Sequence, residues 1–315
     1  MWVVYIHLED FAGKKRKIQV YRQIASFIFP FFVKNLPLSL LLRFGRAYDT
    51  AMEIAGKIAL VTGAGRRLGR SIALSLADCG ANVVLHYRDS REQAMMVRKD
   101  IFARGSHSWL SGHDFTEVET TETWFTDIEK KTGGIDILIN SASEYLRTGY
   151  ESMSAKDLGR SMSIHVQSPL IMIRAMNRRL KQVKQRGAVV NILDSRIADP
   201  QHAAYHFGKT ALHALTLDLA VEMAQTLRIN AVAPGNILPP NSEENFERAD
   251  PPLNSSTAST AARAAGASNP LGIRGDSKDI SDAIIYLLRA DFVTGVVLHV
   301  DGGLHLGSYA CRKLI

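Results

Sequence analysis

A chain of 315 residues in which 46% are hydrophobic can bury a sizeable core, as one α/β domain or as two smaller ones. Its two cysteines, Cys79 and Cys311, exclude a disulfide framework and favour the reducing cytoplasm. The formal net charge of +7 lies mostly in residues 1–51, where eight basic residues accompany three acidic ones, so the other 264 residues carry only +2 and no basic surface for nucleic acid is expected there.

Residues 1–51 are predicted to be an N-terminal extension of uncertain role without a membrane span. The apolar run over 24–33 is interrupted by Pro30 and followed by Lys34, and it falls short of the ~20 apolar residues that a transmembrane helix needs. A long polar lead-in without a small-residue cleavage site argues against a secretory signal. Because the first predicted strand follows Met52 almost at once, translation that begins at Met52 is an open alternative.

From Lys57 onward, short β-branched runs alternate with longer stretches of helical periodicity, which is the pattern of a parallel sheet covered by helices. The apolar runs are continuous, as is typical of strands buried on both faces. The predicted strands are 58–62, 82–87, 136–140, 188–193, 228–232 and 296–300, and the predicted helices are 68–79, 90–104, 117–131, 154–182, 203–226 and 279–289. We therefore predict a single Rossmann-type, doubly wound α/β domain over residues 52–315.

Residues 239–268 differ in composition from the rest of this domain. They are rich in Pro, Asn, Ser, Ala and acidic residues and hold few large apolar ones, which predicts a mobile segment. Its place after the predicted strand 228–232 favours a loop that covers the substrate. A tolerated surface insertion is the alternative.

A glycine-rich turn follows the first predicted strand and opens the first helix. Its sequence is Thr62-Gly63-Ala64-Gly65-Arg66-Arg67-Leu68-Gly69. Glycines let the backbone approach a ligand closely, and a helix N-terminus attracts an anion. The strand-turn-helix context predicts that this turn binds the pyrophosphate of a dinucleotide, through Gly63, Arg66, Arg67, Leu68 and Gly69.

The end of the second predicted strand favours NADPH over NADH. NAD enzymes place a carboxylate there for the ribose hydroxyls, whereas this chain has Tyr87 followed by Arg88. Arg66 and Arg88 can pair with a 2′-phosphate. Asp89 lies one residue too far along to replace the missing carboxylate.

Three further positions are predicted to line the dinucleotide. Asp114 lies between the predicted helices 90–104 and 117–131 and can contact the adenine. Asn140 and Ala142, in Asn140-Ser141-Ala142-Ser143, close the predicted strand 136–140 beside the nicotinamide ribose.

Tyr205 and Lys209 are four residues apart and therefore share one face of a predicted helix. There the Lys209 ammonium can lower the pKa of the phenol from about 10 toward neutrality, so that Tyr205 donates a proton to a substrate being reduced. The pair predicts acid catalysis of hydride transfer. No metal site is predicted.

These motifs occur in order at suitable spacings, together with Pro234-Gly235 and Asp301-Gly302-Gly303. In them, residues 56–307 resemble the short-chain dehydrogenases/reductases. The resemblance implies a single Rossmann-type domain that forms a homodimer or homotetramer, with Tyr205 as the acid and Lys209 holding the nicotinamide ribose. It also places Pro234 and Gly235 at the cofactor.

Asp194 departs from the usual pattern of that family, because most members carry a substrate-binding Ser at this place. The adjacent Ser195 is expected to point elsewhere. Thr-Gly-x-x-x-Arg-x-Gly, with Arg67 at its Arg, combines with this Asp in a pattern that resembles the pteridine reductases and their dihydromonapterin and dihydrofolate reductase relatives. A carboxyl near the acid could relay a proton or bind the amino-amide edge of a pterin; a buried structural Asp is the alternative.

The same resemblance implies a substrate site formed by Ser143, Tyr145, Asp194 and Tyr205, in which Tyr145 stacks a pterin over the nicotinamide. His165 stands where the family commonly has an Asn that holds a water for proton relay. It can bridge a water as a catalytic residue, or it can be a satisfied helix residue. The segment from Asp194 to Tyr205 is shorter than in typical pteridine reductases, which leaves the substrate open.

The leading interpretation is an NADPH-dependent reductase of a pterin or dihydropterin, with hydride delivered to a ring C=N carbon. A carbonyl reductase, acting on a 3-oxoacyl thioester or a small ketone, is the enzymatic alternative. A nucleotide-binding regulator that kept the fold and lost turnover is a third possibility. In each case the predicted partner is a small molecule, with no nucleic acid and no membrane.

Overall fold

The computed structural model describes the backbone of Val3–Glu9 and Lys15–Tyr21 and all atoms of residues 52–196, 201–237 and 269–306. The chain divides into two compact units, Met1–Ala51 and Met52–Ile315. In the first unit, strand β1 (Val3–Glu9) pairs antiparallel with β2 (Lys15–Tyr21), with Val3 opposite Tyr21. The sequence interpretation did not anticipate this hairpin, and the apolar run over 24–33 lies outside the described residues.

The second unit is built on a parallel sheet of seven strands in the order β5-β4-β3-β6-β7-β8-β9. The strands are β3 Ile58–Val61, β4 Asn82–Tyr87, β5 Ser108–Gly112, β6 Ile137–Asn140, β7 Gly187–Ile192, β8 Leu227–Pro234 and β9 Val297–Val300. Chain order reverses between β3 and β6, which is the point where a doubly wound sheet opens a crevice at the carboxyl ends of its strands. The predicted fold class is confirmed.

Helices connect these strands and cover both faces of the sheet. They are α1 Arg67–Asp78, α2 Arg91–Ala103, α3 Val118–Thr132, α4 Ala155–Met162, α5 Ser168–Val183, α6 Ala203–Glu222 and α7 Ser277–Arg289. Helix α7 begins two residues before the predicted start at 279, because Asp276 and Asp279 form a capping box there. Helix α6 ends at Glu222, four residues before the predicted end at 226.

The predicted helix over 154–182 is interrupted in the structure. A π-helical turn, Ser163–Gln167, separates α4 from α5. Such turns insert one wider turn into an α-helix and occur frequently at functional sites. His165 lies within it and is buried.

Two apolar layers form the core, one on each face of the sheet. Ala59 and Val61 of β3 join the layer with α1 and α7, whereas Leu60 joins the opposite layer with α3 and α5. Alternate residues of one strand are therefore buried in opposite directions, which explains why the predicted strands are apolar throughout. Among the described residues, no helix is long and apolar enough to cross a membrane. The predicted substrate loop over 239–268 lies outside the described residues.

Candidate active site

The glycine-rich turn lies between the end of β3 and the start of α1. Gly63 has a φ of 68°, and a Cβ on Gly69 would lie 2.2 Å from the Gly63 carbonyl oxygen, so the turn requires glycine at both places. Arg67 has a φ of 50°, in the left-handed region that favours glycine. Leu68 packs against the core. The first turn of α1 holds no acidic residue, and Arg66 at its N-cap makes no side-chain cap hydrogen bond, so the charge of this helix N-terminus suits an anion.

His86, on β4, holds this turn through a hydrogen bond to its backbone. The Gly63 N–H donates to His86 Nδ1 at 3.0 Å, so the ring proton lies on Nε2, which donates to the His113 carbonyl at 3.0 Å. Burial lowers the pKa of His86 to about 4, and the imidazole is therefore neutral at physiological pH. Its role as an acceptor for Gly63 is fixed by the fold.

Arg88 lies at the end of β4, after the half-buried Tyr87. Its guanidinium forms ion pairs with Asp89 at 2.6 Å and with Glu144 at 3.3 Å. Glu144 also accepts a hydrogen bond from Arg160. Burial raises the pKa of Glu144, but Arg160 and Arg88 outweigh this effect and hold the pKa below its usual range. The ion pairs with Asp89 and Glu144 hold the Arg88 guanidinium in place at the end of β4.

Asp114 follows β5 and forms a local turn. Its Oδ1 accepts hydrogen bonds from the Thr116 backbone N–H and hydroxyl, both at 2.9 Å. These bonds hold the pKa of Asp114 below its usual range against the opposing effect of burial. The carboxylate is ionised and fixed in place.

Asn140 ends β6 in a buried amide network. Asn140 Nδ2 donates to Asn191 Oδ1 at 2.8 Å, and Asn191 Nδ2 donates to Thr216 Oγ1 at 2.9 Å. The Asn140 Oδ1 atom is buried and has no hydrogen-bond partner among the described residues. Two residues later, the Ala142 N–H donates to Thr62 Oγ1 at 2.8 Å, which fixes the backbone after β6.

The carboxylate of Asp194 lies just past the end of β7 and contacts the phenol of Tyr205. Tyr205 Oη donates to Asp194 Oδ2 at 2.8 Å. Arg196 binds both oxygens of the same carboxylate, with Nε at 3.1 Å from Oδ1 and Nη2 at 2.7 Å from Oδ2. Burial favours a neutral Asp194, but the bonds and charge of Arg196 outweigh burial and hold the pKa of this carboxyl below its usual range. Asp194 is thus an ionised acceptor for the tyrosine.

The phenol of Tyr205 is not the acidic group that the sequence predicts. Its side chain is buried, and burial followed by the charge and hydrogen bond of Asp194 raises its pKa well above 10. Lys209 Nζ lies 5.6 Å from the centroid of the Tyr205 ring. The predicted lowering by Lys209 is therefore wrong in this structure, because desolvation and an adjacent carboxylate act on the phenol more strongly than a cation beyond the ring.

Lys209 is itself perturbed by its surroundings. Burial lowers the pKa of its ammonium to about 8, and the charge of Asp194 opposes that shift. Lys209 Nζ donates a hydrogen bond to the Ile192 carbonyl at 2.7 Å, and among the described residues it donates to no second acceptor. Two of its hydrogens are left for hydroxyl oxygens of a ligand.

His165 lies between two serine hydroxyls. Its Nε2 is 3.0 Å from Ser143 Oγ, and its Nδ1 is 3.1 Å from Ser161 Oγ. Burial and then the charge of Lys209 lower its pKa well below 6.5, so the imidazole is neutral. Gly208 of α6 makes room for this ring, because a Cβ there would lie 2.8 Å from His165 Nδ1 and 2.6 Å from Ser161 Oγ.

Tyr145 lies over the Tyr205–Asp194 pair. Its ring stacks on His202 with centroids 3.7 Å apart and meets the Tyr205 ring edge-on at 4.8 Å. Its hydroxyl accepts a hydrogen bond from Arg196, whose guanidinium carbon lies 5.0 Å from the ring centroid. Tyr145 is 45% exposed, so its ring contacts Tyr205 and is also open to solvent.

Comparisons with known proteins show the family to which this chain belongs. The family model described as enoyl-(acyl carrier protein) reductase matches residues 63–305. The chain belongs to the short-chain dehydrogenase/reductase family. Within this family, glucose 1-dehydrogenase of Gluconobacter oxydans is 29% identical over 81% of this chain and 94% of its own length. A 3-oxoacyl-[acyl-carrier-protein] reductase of Staphylococcus aureus is 27% identical over 79% and 98%.

Among solved structures, alternative dihydrofolate reductase 1 of Brucella canis, complexed with NADP, superposes with a TM-score of 0.69. It is 27% identical and covers 81% of this chain and 96% of its own. Membership of the short-chain dehydrogenases/reductases makes this protein an NAD(P)-dependent oxidoreductase. The relatives differ in the substrates that their names give.

The described residues fit the nicotinamide dinucleotide of this family. The uncapped first turn of α1 suits a pyrophosphate, the orphaned Asn140 Oδ1 needs a donor, and Lys209 has hydrogens to give. At the end of β8, Pro234 and Gly235 approach the last strand so closely that a Cβ on Gly235 would lie 2.6 Å from Asp301 Cα. The predicted cofactor positions thus lie along one edge of the sheet.

Sequence reasoning missed Arg196, His86 and Glu144, which hold predicted site residues in place. Arg196 follows Asp194 by two residues, so a charge pair at that spacing was the available signal. His86 and Glu144 carry no local signal, because their partners are 23 and 56 residues away in the chain. Ser195 points away from the Tyr205–Asp194 pair, as expected, since its Oγ donates to the Ala233 carbonyl at 2.7 Å.

Proposed function

We propose that this protein is an NADPH-dependent reductase of a pterin or dihydropterin. The observation that carries the proposal is the contact between Asp194 and Tyr205, in which a partly buried, ionised carboxylate accepts a hydrogen bond from the phenol O–H at 2.8 Å. A substrate-binding Ser at this place would offer a neutral hydroxyl. A carboxylate offers an acceptor for the amino-amide edge of a pterin and a route for a proton to ring nitrogen.

Reduction of a C=N bond needs a hydride at carbon and a proton at nitrogen. The dinucleotide supplies the hydride when bound. Tyr205 would supply the proton, since its O–H lies in the site as a hydrogen-bond donor, 2.8 Å from Asp194 Oδ2. Asp194 would orient that O–H and accept the substrate's N–H donors, and Arg196 would keep the carboxylate ionised.

Tyr145 would provide the surface on which a flat ring stacks. It is fixed by the stacked His202 ring behind it and by Arg196 at its hydroxyl, so it needs little reordering to receive a ligand. Ser143 would lie beside the substrate and connect it to His165. His165, as a neutral imidazole between Ser143 and Ser161, would replace the family's Asn as the group that passes a proton toward Lys209.

The choice of NADPH rests on charge at the end of β4. Arg88 lies there, and Arg66 is the residue before the first turn of α1. A 2′-phosphate between them would be neutralised by a guanidinium, whereas Asp89 pairs with Arg88 and offers no free carboxylate for the ribose hydroxyls of NADH. The Brucella canis structure holds NADP. Asp114 would contact the adenine.

We also propose that the protein forms a homodimer or homotetramer. Light scattering of the purified protein tests this assembly state.

The test is NADPH oxidation by purified protein with 7,8-dihydropterin or dihydrofolate, beside an acetoacetyl thioester at matched concentration. Turnover that depends on the pterin is expected. Asp194→Ser should abolish pterin turnover and spare any ketone turnover, and Ser195→Ala serves as the matched neighbour control because Ser195 points to β8. Thioester turnover alone would overturn the pterin assignment.

A carbonyl reductase is the second candidate, favoured by the similarity to a 3-oxoacyl-[acyl-carrier-protein] reductase. Tyr205 and Lys209 alone serve that reaction, with Tyr205 protonating the carbonyl oxygen. Asp194 would then be a structural acceptor. Ketone turnover that survives Asp194→Ser, with no pterin turnover in either protein, would establish this candidate.

A further inference from the structure

A second cluster of ligand-type side chains lies at the end of β9. His299 lies on that strand, and Asp301 and His305 lie in the turn that follows it. One ligand atom from each lies within 4.8 Å of the others, and in the described part of the chain this is the one such convergence of three His, Cys, Asp or Glu side chains. The sequence interpretation predicted no metal site, because the convergence depends on the turn.

The carboxylate of Asp301 is buried and held from one side by backbone. Gly303 N–H donates to Oδ1 at 2.9 Å and His305 N–H donates to Oδ2 at 2.8 Å. These two bonds fix the carboxylate in the turn that follows β9. A fixed anion of this kind attracts a cation.

Two imidazoles flank that carboxylate. Their rings are stacked at 4.0 Å between centroids with an interplanar angle of 22°, and His305 Nδ1 lies 2.9 Å from Asp301 Oδ2. A hydrogen-bonded cap of the turn would account for His305 and Asp301. It does not account for His299, whose Nδ1 lies near Ser195 Oγ at 3.3 Å and whose ring is held face to face with His305.

We propose that His299, Asp301 and His305 bind one transition-metal dication of the zinc class. Two imidazole nitrogens and one carboxylate oxygen form a ligand set that is typical of zinc, whereas magnesium and calcium bind mainly oxygen ligands. Ligands of one zinc ion lie roughly 3 Å apart, so the cluster closes by small side-chain rotations from its present spacing. The ion would replace the His305–Asp301 hydrogen bond, and His305 would keep its proton on the other ring nitrogen.

The ion would fasten the turn after β9 to the strand. That turn adjoins the active-site edge, because Asp301 lies against Gly235 and His299 contacts Ser195, the neighbour of Asp194. Binding is therefore expected to raise the melting temperature of the protein. It uses none of the residues proposed to bind the dinucleotide or the pterin, so it stands apart from the proposed function.

The test uses the full chain, freed of metal with a chelator and titrated with zinc chloride in a calorimeter and in thermal melts. One site that stabilises the fold is expected, with magnesium chloride giving no such site. His299→Ala and His305→Ala should each weaken zinc binding by about tenfold or more, and the double variant should lose the zinc-dependent rise in Tm. His107→Ala, an exposed histidine before the opposite edge strand β5, is the matched control and should bind zinc as the parent does.

Circular dichroism of each variant shows whether it is folded, and Asp301→Asn, which keeps the side-chain shape, tests the carboxylate without emptying the turn. Cobalt in place of zinc gives visible absorption that depends on nitrogen and oxygen ligands. No binding by the parent, or binding that the folded double variant retains, would overturn the assignment.

Discussion

Lys209→Met is expected to stabilise the ligand-free protein while it removes activity. Burial lowers the pKa of Lys209 from 10.5 to about 8. That fall of roughly 2.5 pKa units, at about 1.36 kcal/mol each, corresponds to about 3 kcal/mol of unfavourable free energy for the buried ammonium near neutral pH. Methionine fills a similar volume without the charge, so the free energy of unfolding should rise by about 2–3 kcal/mol.

The pH dependence gives the prediction its sign. Below about pH 8 the folded protein carries the buried charge and the destabilisation is complete. Between about 8 and 10.5 the folded state releases the proton that the unfolded state still binds, so the stability of the parent rises toward that of the variant. Above 10.5 both states are neutral at this residue and the difference should vanish.

Urea unfolding at several pH values, followed by circular dichroism, measures this difference. Lys99→Met, on an exposed face of α2, is the control and should change stability by less than about 0.5 kcal/mol. If Lys209→Met is less stable than the parent near neutral pH, or if the gain does not change with pH, the reasoning about the buried ammonium is refuted.

Three further changes test the site. Tyr205→Phe should lower kcat by about a hundredfold or more with dinucleotide binding retained, because it removes the acid alone; near-normal kcat in steady-state assays would count against that role. Arg88→Ala should raise the KM for NADPH more than that for NADH, since the 2′-phosphate is the only group of the dinucleotide that Arg88 is proposed to contact, and equal effects would contradict the preference. Arg196→Leu removes the ion pair that keeps the pKa of Asp194 low, so the acidic limb of the kcat/KM profile should move to higher pH; an unmoved limb would mean that Asp194 does not titrate in catalysis.

The architecture could be predicted because its signals are local. Continuous apolar runs mark strands such as Asn82–Tyr87, and glycine at Gly63 and Gly69 marks a turn that no other residue fits. The alternation of strands and helices predicts a parallel sheet covered by helices, whereas the order of its strands comes from the structure. The π turn around His165 could not be predicted in this way, because helical periodicity continues on both sides of it.

The electrostatics of the site could be predicted only in part. Sequence spacing relates Lys209 to Tyr205, but the pKa of the phenol depends on burial and on Asp194, eleven residues away along the chain. The pairing of Arg88 with Glu144 depends on β4 and the loop after β6 meeting in space. Charges close in space and distant in sequence therefore set the direction of each shift.

Gly208 links the residue types that positions 208 and 165 can accept, because the two positions share one space. The position lies inside the Tyr205–Lys209 motif, where any helix former would keep these two side chains on one face of α6. Here its missing Cβ provides the space that His165 and Ser161 occupy. A side chain at 208 would press on the hydrogen bond between them, so this chain can exchange the imidazole for a smaller amide more easily than it can exchange the glycine for alanine. Substitution at 208 and substitution at 165 are therefore linked by volume, and a change at one position sets what the other accepts.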